Sequence, residues 1–499
     1  MTIHVLHPLV HSLTKSEKRY CRLMVGHQAG DKGFMRLFDC LLSHETPGDT
    51  LTDDLTRQFP DTTLQPARKH LYQVLMQSLR QFEGDKRIDV SIAQLLHDSH
   101  ILHERGLAQF SQEQLKKAQA MAETHERGLY AVLAARQQVE QWERWQFDGI
   151  DEPTLASRQA FIQTQIERAQ TALHHAALYQ TLLLRYRTKG MAGSAADKLR
   201  LNDLLLEEYQ LLNRQNRTGS PMRSFVQQQQ HLHFQSAYFR MIGDGAGSLR
   251  VYRELYTLFQ QNPTLWAEQP LHYVQLLEGI LADLRLLEQY DEMPFFIERL
   301  RLIDTPVQAL NRTVPYIVLY HSLLRLVDQS RCAEATVLLD TYPPIGSGFE
   351  RGLAQLALPM RTDFELLLIR LDVGRGQLTA GLKRLNRVLA RPARLLPQTV
   401  YTQSRLLSLL LHARLGNADY LTYALRSVER KLTANGAVSA GEELVFSLLR
   451  QWLSGNWRAD SVTQMNEFSG SPADHQLLRN LDIRLWTESI IDKGPNTTG

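Results

Sequence analysis

The sequence predicts an all-α chain: an α-α superhelix, wound as a right-handed solenoid, preceded by a small N-terminal helical module. Three observations carry that expectation. Apolar residues recur at spacings of three and four almost everywhere, while alternating β-branched runs are missing. Amphipathic stretches come in pairs with glycine at the joint; in residues 95–126, Leu95, Leu96, Ile101 and Leu102 mark one helix, Gly106 the break, and Leu115, Ala118 and Met121 the next stripe. Finally, 499 residues exceed what one compact core accommodates. A two-helix unit of this size cannot bury its apolar face alone, so it must stack on neighbours.

Residues 1–90 read as the separate module. Thr14 and Glu17 have capping-box spacing, the Thr14 hydroxyl accepting from the Glu17 amide and the Glu17 carboxylate reaching back. Tyr20, Leu23, Met24 and His27 then make one apolar face, and Phe34, Leu37, Phe38 and Leu41 another. A short segment with Leu51, Leu55 and Phe59 follows, and a long helix over 64–82 closes the module. Residues 91–492 form the solenoid. It holds one long helix over 152–188, helices over 195–213 and 225–241, two pairs over 247–305, and pairs over 364–392 and 406–432 broken at Gly374–Gly376 and at Gly416. Residues 493–499 read as a flexible tail.

The residues around Gly106, Gly376 and Gly416 resemble degenerate tetratricopeptide-type repeats, with Gly381 standing where that consensus has alanine. From its LTKSEKRY start to HARLGNADYLTYALRSVERKL near the end, the chain is also similar to a group of uncharacterised bacterial helical-repeat proteins of similar length. These resemblances imply the stacked-helix architecture and bring no activity or site residues with them.

Composition narrows the function classes. A hydrophobic content of 43% supports a packed core, and a net charge of +3 singles out no partner. Cys21, Cys40 and Cys332 are odd in number and lack metal or redox spacing, as for small hydrophobes in a reducing compartment. The N-terminus lacks signal-peptide features and no apolar stretch approaches membrane-spanning length, so the expected location is cytoplasmic.

Candidate chemistry is sparse. His97, His100 and His103 with Glu104 have partial ligand spacing, but His103 rotates off the shared face and no second helix completes the set. Within His174–His175, and within His231 and His233, the side chains diverge by about 100° and about 200°, so neither pair meets on one ion. The expectation is no metal and no cofactor, with these histidines on wet or boundary faces. Gly243–Gly247 reads as an inter-helix turn, and Gly346-Ser347-Gly348 is no nucleophile elbow. Glu207–Glu208 and Glu442–Glu443 read as solvated faces, and no two acids are driven together in a cleft. Trp142, Trp145 and Phe147 are expected to pack in the core. No enzyme is predicted.

Charge distribution says more. Residues 361–431 hold thirteen Lys and Arg against five Asp and Glu. Lys383, Arg387, Arg391 and Arg394 recur along one helix face beside Arg384, which reads either as a solvated face or as a docking stripe for an acidic protein segment or nucleic acid. In the N-terminal module, Arg68, Lys69, Gln73, Gln77 and Arg80 could present a helix-turn-helix-like surface to nucleic acid, although residues 1–90 carry only 12 basic against 11 acidic groups. The expected function is a non-catalytic scaffold that binds a protein or peptide segment on its repeat surface, away from membranes. The alternative is a nucleic-acid-binding regulator using the N-terminal module and the basic stripe.

Overall fold

Helices account for nearly all regular structure in the computed structural model, which describes residues 2–26, 33–44, 48–84, 87–192, 195–217, 224–267, 270–305, 307–342, 348–392, 395–435, 438–455, 465 and 467–490. Among these residues no strand occurs, and no helix is long and apolar enough to cross a membrane. Arg394 and the tail 493–499 lie outside them. The chain divides into two compact units, Met1–Glu167 and Arg168–Gly499. The sequence boundary near residue 90 falls inside the first unit, between two separate cores.

In the first unit the helices are α1 (Ile3–Ser12), α2 (Lys15–Gly26), α3 (Gly33–Ser43), α4 (Asp49–Gln58), α5 (Asp61–Glu83), α6 (Ile88–Glu104), α7 (Ala108–Thr124), α8 (Gly128–Arg144) and the first part of α9 (Glu152–Lys189). The capping box forms at the start of α2: the Thr14 amide donates to Glu17 Oε2 at 2.6 Å, and the Glu17 amide to Thr14 Oγ1 at 3.2 Å. Helix α1 was not anticipated from the sequence. It docks on the end of α3, where His7 and His11 bond the carbonyls of His44 and Leu41 at 2.7 and 2.9 Å, satisfying acceptors that a helix C-terminus leaves open. Leu6, Leu37, Phe38, Leu41, Leu71 and Leu75 make the core beneath.

Helices α6, α7 and α8 begin at 88, 108 and 128, each 17 residues long, a regularity that the sequence pattern concealed. They pack closely because their contact positions are small: Ala118, Ala122, Ala131 and Ala134 are buried between them. The hydroxyls this packing encloses are paired, Ser99 with Ser111 at 2.9 Å and Ser111 with Gln141 at 3.1 Å.

The second unit continues with α10 (Ala195–Leu199), α11 (Asn202–Arg217), α12 (Phe225–Met241), α13 (Gly245–Gln261), α14 (Pro263–Trp266), α15 (Leu271–Leu286), α16 (Met293–Arg301), α17 (Gln308–Asp328), α18 (Cys332–Thr341), α19 (Phe349–Gln355), α20 (Leu358–Gly374), α21 (Leu378–Leu389), α22 (Gln398–Arg414), α23 (Ala418–Asn435), α24 (Ala440–Leu453), α25 (Pro472–Asn480) and α26 (Ile483–Ile490). Helix α20 is apolar on more than one side. Phe364, Leu367 and Leu371 enter one core with α12 to α19, while Leu366, Ile369 and Val373 enter the next with α21 to α26.

One backbone device recurs at the joints. The residue after the break donates its amide five residues back, as Leu107 to Leu102, Gln377 to Asp372 and Asn417 to His412, closing the Schellman turn. The break residue is left-handed: Gly106, Gly376 and Gly416 adopt it freely at φ 74–75°. Glu126, Gln146, Glu288 and Ser330 adopt it as non-glycine residues at φ 53–59°, each at a cost of about 1 kcal/mol.

Buried ion pairs cross-link the second unit. Arg240 on α12 donates to Asp283 on α15 at 2.8 Å, and Arg285 on α15 to Asp328 on α17 at 2.6 Å. Arg370 on α20 donates to Asp328 at 2.8 Å and to Asp482 at 2.7 Å. Although burial works against its ionisation, the two guanidinium groups hold the Asp328 carboxyl down at about 2. Asp328→Ala would leave Arg285 and Arg370 buried without it, and should cost about 3–5 kcal/mol in denaturant unfolding of the second unit. Glu140→Ala, which removes the exposed Arg136–Glu140 pair, should leave the unfolding midpoint unchanged.

Candidate functional site

Stripes of groove-facing residues follow from helical spacing in the second unit. On α15, Gln275, Glu278, Ala282 and Arg285 lie on one face; on α20, Thr362, Asp363, Leu366 and Arg370 do the same. With Tyr179, Tyr186 and Arg187 of α9, Tyr252 of α13 and Tyr320 of α17, they line a groove of about 1650 Å³. Gly279 lets α15 approach α13: a Cβ there would sit 2.4 Å from the Tyr252 ring. Its carbonyl accepts from Arg240 at 2.5 Å.

The charges inside the groove fall into two groups. Arg240, Arg285 and Arg370 are spent on Asp283, Asp328 and Asp482. Glu278 and Asp363, by contrast, have no hydrogen-bond partner among the described residues. Each is enclosed by protein while part of its surface stays open to the groove. Burial pushes Glu278 up to about 7, with Arg187 and Arg240 opposing and Asp363 adding to the rise. Burial also lifts Asp363 to about 6 against the pull of Arg187. The two acids are therefore electrostatic neighbours sharing one facing cation, a pairing of distant chain segments that adjacent residues could not reveal. The surrounding tyrosines stay protonated, since burial raises Tyr179, Tyr186 and Tyr320 further above the working range. His321 is driven down to about 3 by burial beside Arg285 and stays neutral.

A second constellation corrects the histidine reading. One member of each sequence pair, His175 of α9 and His231 of α12, meets Glu208 of α11. His175 Nδ1 donates to Glu208 Oε2 at 2.9 Å, and His231 Nδ1 donates to Glu208 Oε1. His175 and Glu208 are buried, so neither a wet or boundary face nor a solvated acid describes them; His231, at 16% side-chain exposure, does lie at a boundary. Only Glu207 of that acidic pair is exposed. The sequence did hold a signal: Leu201, Leu204, Glu208 and Leu211 form one helical stripe, placing an acid where only apolar residues belong. His233 is fully buried, stacked on Tyr179 at 5.1 Å, and meets His272 at 5.4 Å.

The sequence-predicted residues are dispersed. Lys383 and Arg387 are exposed on α21 without an ion pair among the described residues. Arg384 approaches Asp372 at 3.4 Å, and Arg391 bonds Thr362 and Glu365 at 2.8 and 2.7 Å, so half of the described cations in the stripe are engaged within the chain. Lys69, Gln73, Gln77 and Arg80 are exposed along α5, while Arg68 is half-buried. His100 pairs with Glu104 at 3.2 Å on the surface, and His103 turns away to lie 4.9 Å from Trp145. Trp142 and Trp145 are half-buried and Phe147 is exposed, short of the full burial expected. Of Gly243–Gly247, only Gly243 and Asp244 form the inter-helix turn; Gly245, Ala246 and Gly247 already open α13, which Asp244 caps by accepting from the Gly247 amide at 2.8 Å. Glu442 belongs to the capping box of α24. Cys21 and Cys40 are buried, and all three cysteines are free.

With this geometry in hand, no family model, curated protein or solved structure matches the chain.

The sign of the Glu278 shift makes a direct prediction. A raised carboxyl pKa means the folded state holds a proton that the unfolded chain releases nearer the ordinary carboxylate value, so this group's contribution to stability falls as pH climbs from about 4.5 to about 7. Glu278→Gln removes that penalty. Calorimetry should show its Tm a few degrees above the parent at pH 8 and level with it at pH 5.

Proposed function

We propose that the second unit is a non-catalytic interaction module whose groove receives an extended peptide segment of a protein partner, with a Lys or Arg side chain of that segment seated between Glu278 and Asp363. The observation that carries this reading is the pair of unbonded carboxyls on the groove wall. They are the acids in that space without an internal hydrogen-bond partner, and the tyrosine faces and hydroxyls around them suit the stem and head of a long cationic side chain. A cation there would keep both carboxyls ionised, compensating charge that burial now penalises. The joints and stacked pairs support a tetratricopeptide-like right-handed superhelix as the scaffold, and the cytoplasm is the location we propose for it.

The exposed Lys383 and Arg387 support an acidic contact elsewhere on the partner, weaker than the full stripe would give. The exposed row Lys69, Gln73, Gln77 and Arg80 along α5 supports the second reading, a nucleic-acid contact by the N-terminal module. A gel shift at low and physiological salt checks that reading directly.

Peptide display against the full-length chain should select sequences with a fixed basic position. The selected peptides should lose at least about tenfold in affinity against Glu278→Gln/Asp363→Asn and little against Lys383→Glu/Arg387→Glu. Affinity should rise between pH 5.5 and 8 as the two carboxyls ionise. Selection of peptides without a basic position, or indifference to the double variant, would overturn the groove assignment.

A further inference from the structure

The arrangement of His175, Glu208 and His231 asks for something the groove does not use. Three helices of the second unit, α9, α11 and α12, each bring one potential ligand, and the donor atoms all lie within 4.8 Å of one another. Glu208 is 3% exposed and makes no ion pair with Lys or Arg among the described residues; both its oxygens face imidazoles.

A buried carboxylate in that position needs positive charge. His175 has a fully buried ring, and its Nε2 has no hydrogen-bond partner. His231, at 16% side-chain exposure, is the only one of the three with a side toward solvent. Two neutral imidazoles and one carboxylate are the donor set that binds zinc-type divalent ions, and one protein-free position remains for water or a further ligand. Inserting an ion requires the imidazole nitrogens to give up the protons now shared with Glu208 and the three groups to separate slightly. The Nε2 atom of His175, which has no hydrogen-bond partner, then carries that ring's proton, a cost the metal–ligand bond must offset. The open side at His231 gives the ion an entry path.

We propose that His175, Glu208 and His231 form a zinc-type transition-metal site that ties α9, α11 and α12 together. The alternative use of the same atoms is a hydrogen-bonded His–Glu–His triad with no ion, and the two differ in what they bind. The assignment stands apart from the peptide groove, because none of the three residues lines it.

The test uses the full-length chain, stripped with chelator and dialysed. Zn²⁺ titrated by calorimetry at pH 7.5 should bind one ion per chain at this site, and Co²⁺ should give the visible d–d bands of a four-coordinate nitrogen–oxygen site. Since losing an outer-shell partner already costs 10–100-fold in affinity, His231→Ala should weaken Zn²⁺ by more than about 100-fold. This residue is preferred for the variant because its partial exposure makes its loss least damaging to folding; Glu208→Gln is the second, nearly isosteric, variant. Absence of both Zn²⁺ binding and Co²⁺ bands in the parent chain overturns the proposal whatever the variants do. Undiminished binding in folded His231→Ala overturns it equally, because the ion then sits elsewhere. Loss of peptide binding in the groove variants leaves this result untouched.

Discussion

Asp328 ends α17 with almost no exposure, and each of its oxygens faces a guanidinium group from a different helix, Arg285 of α15 and Arg370 of α20. An acid at a helix C-terminus is disfavoured by the helix dipole and by burial, so its ionisation depends chiefly on those two arginines, with the Tyr290 hydroxyl donating as well at 3.3 Å. The dependence runs the other way as well. Arg370, itself 3% exposed, divides its donors between Asp328 and Asp482, which links the middle of the unit to the turn before α26. Arg240 and Asp283 repeat the motif one pair earlier, and Arg479 continues it by donating to Glu288 and to the Arg285 carbonyl. Apolar contact alone would let stacked helix pairs slide by a turn. Paired charges with fixed donor geometry allow one register.

This ladder also decides what the groove offers. The inward faces of α12, α15 and α20 are rich in arginine, and by count alone they would attract anions. Once each guanidinium is committed to a partner below the surface, the charges left for a ligand are the opposite ones, Glu278 and Asp363, with Arg187 opposite them. Counting charges along residues 361–431 led to an acidic partner for the same physical reason. The count could not know that Arg391 is held by Glu365 and Arg384 approached by Asp372. Charge becomes informative about binding only after internal pairs are removed, and those pairs join residues far apart in the chain.

The architecture was more legible than the site because its signals are local. Spacing of three and four marks a helix within a dozen residues, and glycine marks a left-handed joint at a single position, as at Gly106, Gly376 and Gly416. Where a joint spends about 1 kcal/mol to hold Glu126, Gln146, Glu288 or Ser330 left-handed, that mark disappears, and with it the even starts at 88, 108 and 128. The string HERGL shows the ambiguity: at 103–107 its glycine is the left-handed joint, while at 125–129 the preceding Glu126 takes that role and Gly128 opens α8. The site depends on which helix faces which, and no spacing rule within one helix supplies that. His174–His175 and His231 with His233 diverge as their spacing requires, yet one member of each meets Glu208 from a different helix.

Helix α9 joins the two constellations physically. His175, Tyr179 and Tyr186 are four and eleven residues apart along it, which at about 100° per residue places all three within a narrow sector of one face. His175 is fixed by Glu208; Tyr179 stacks on His233 of α12, which in turn meets His272 of α15; Tyr186 and the adjacent Arg187 reach the groove. A helix whose rotation is fixed at one point presents a fixed face along its length. Whatever holds His175 against Glu208 therefore also sets where Arg187 stands relative to Glu278 and Asp363. The groove acids need a facing cation at a constant distance for their shifted ionisation to be a stable property of the fold. The buried histidine–glutamate contact, three turns back along the same helix, and the Tyr179–His233 stack both hold that face of α9 in register.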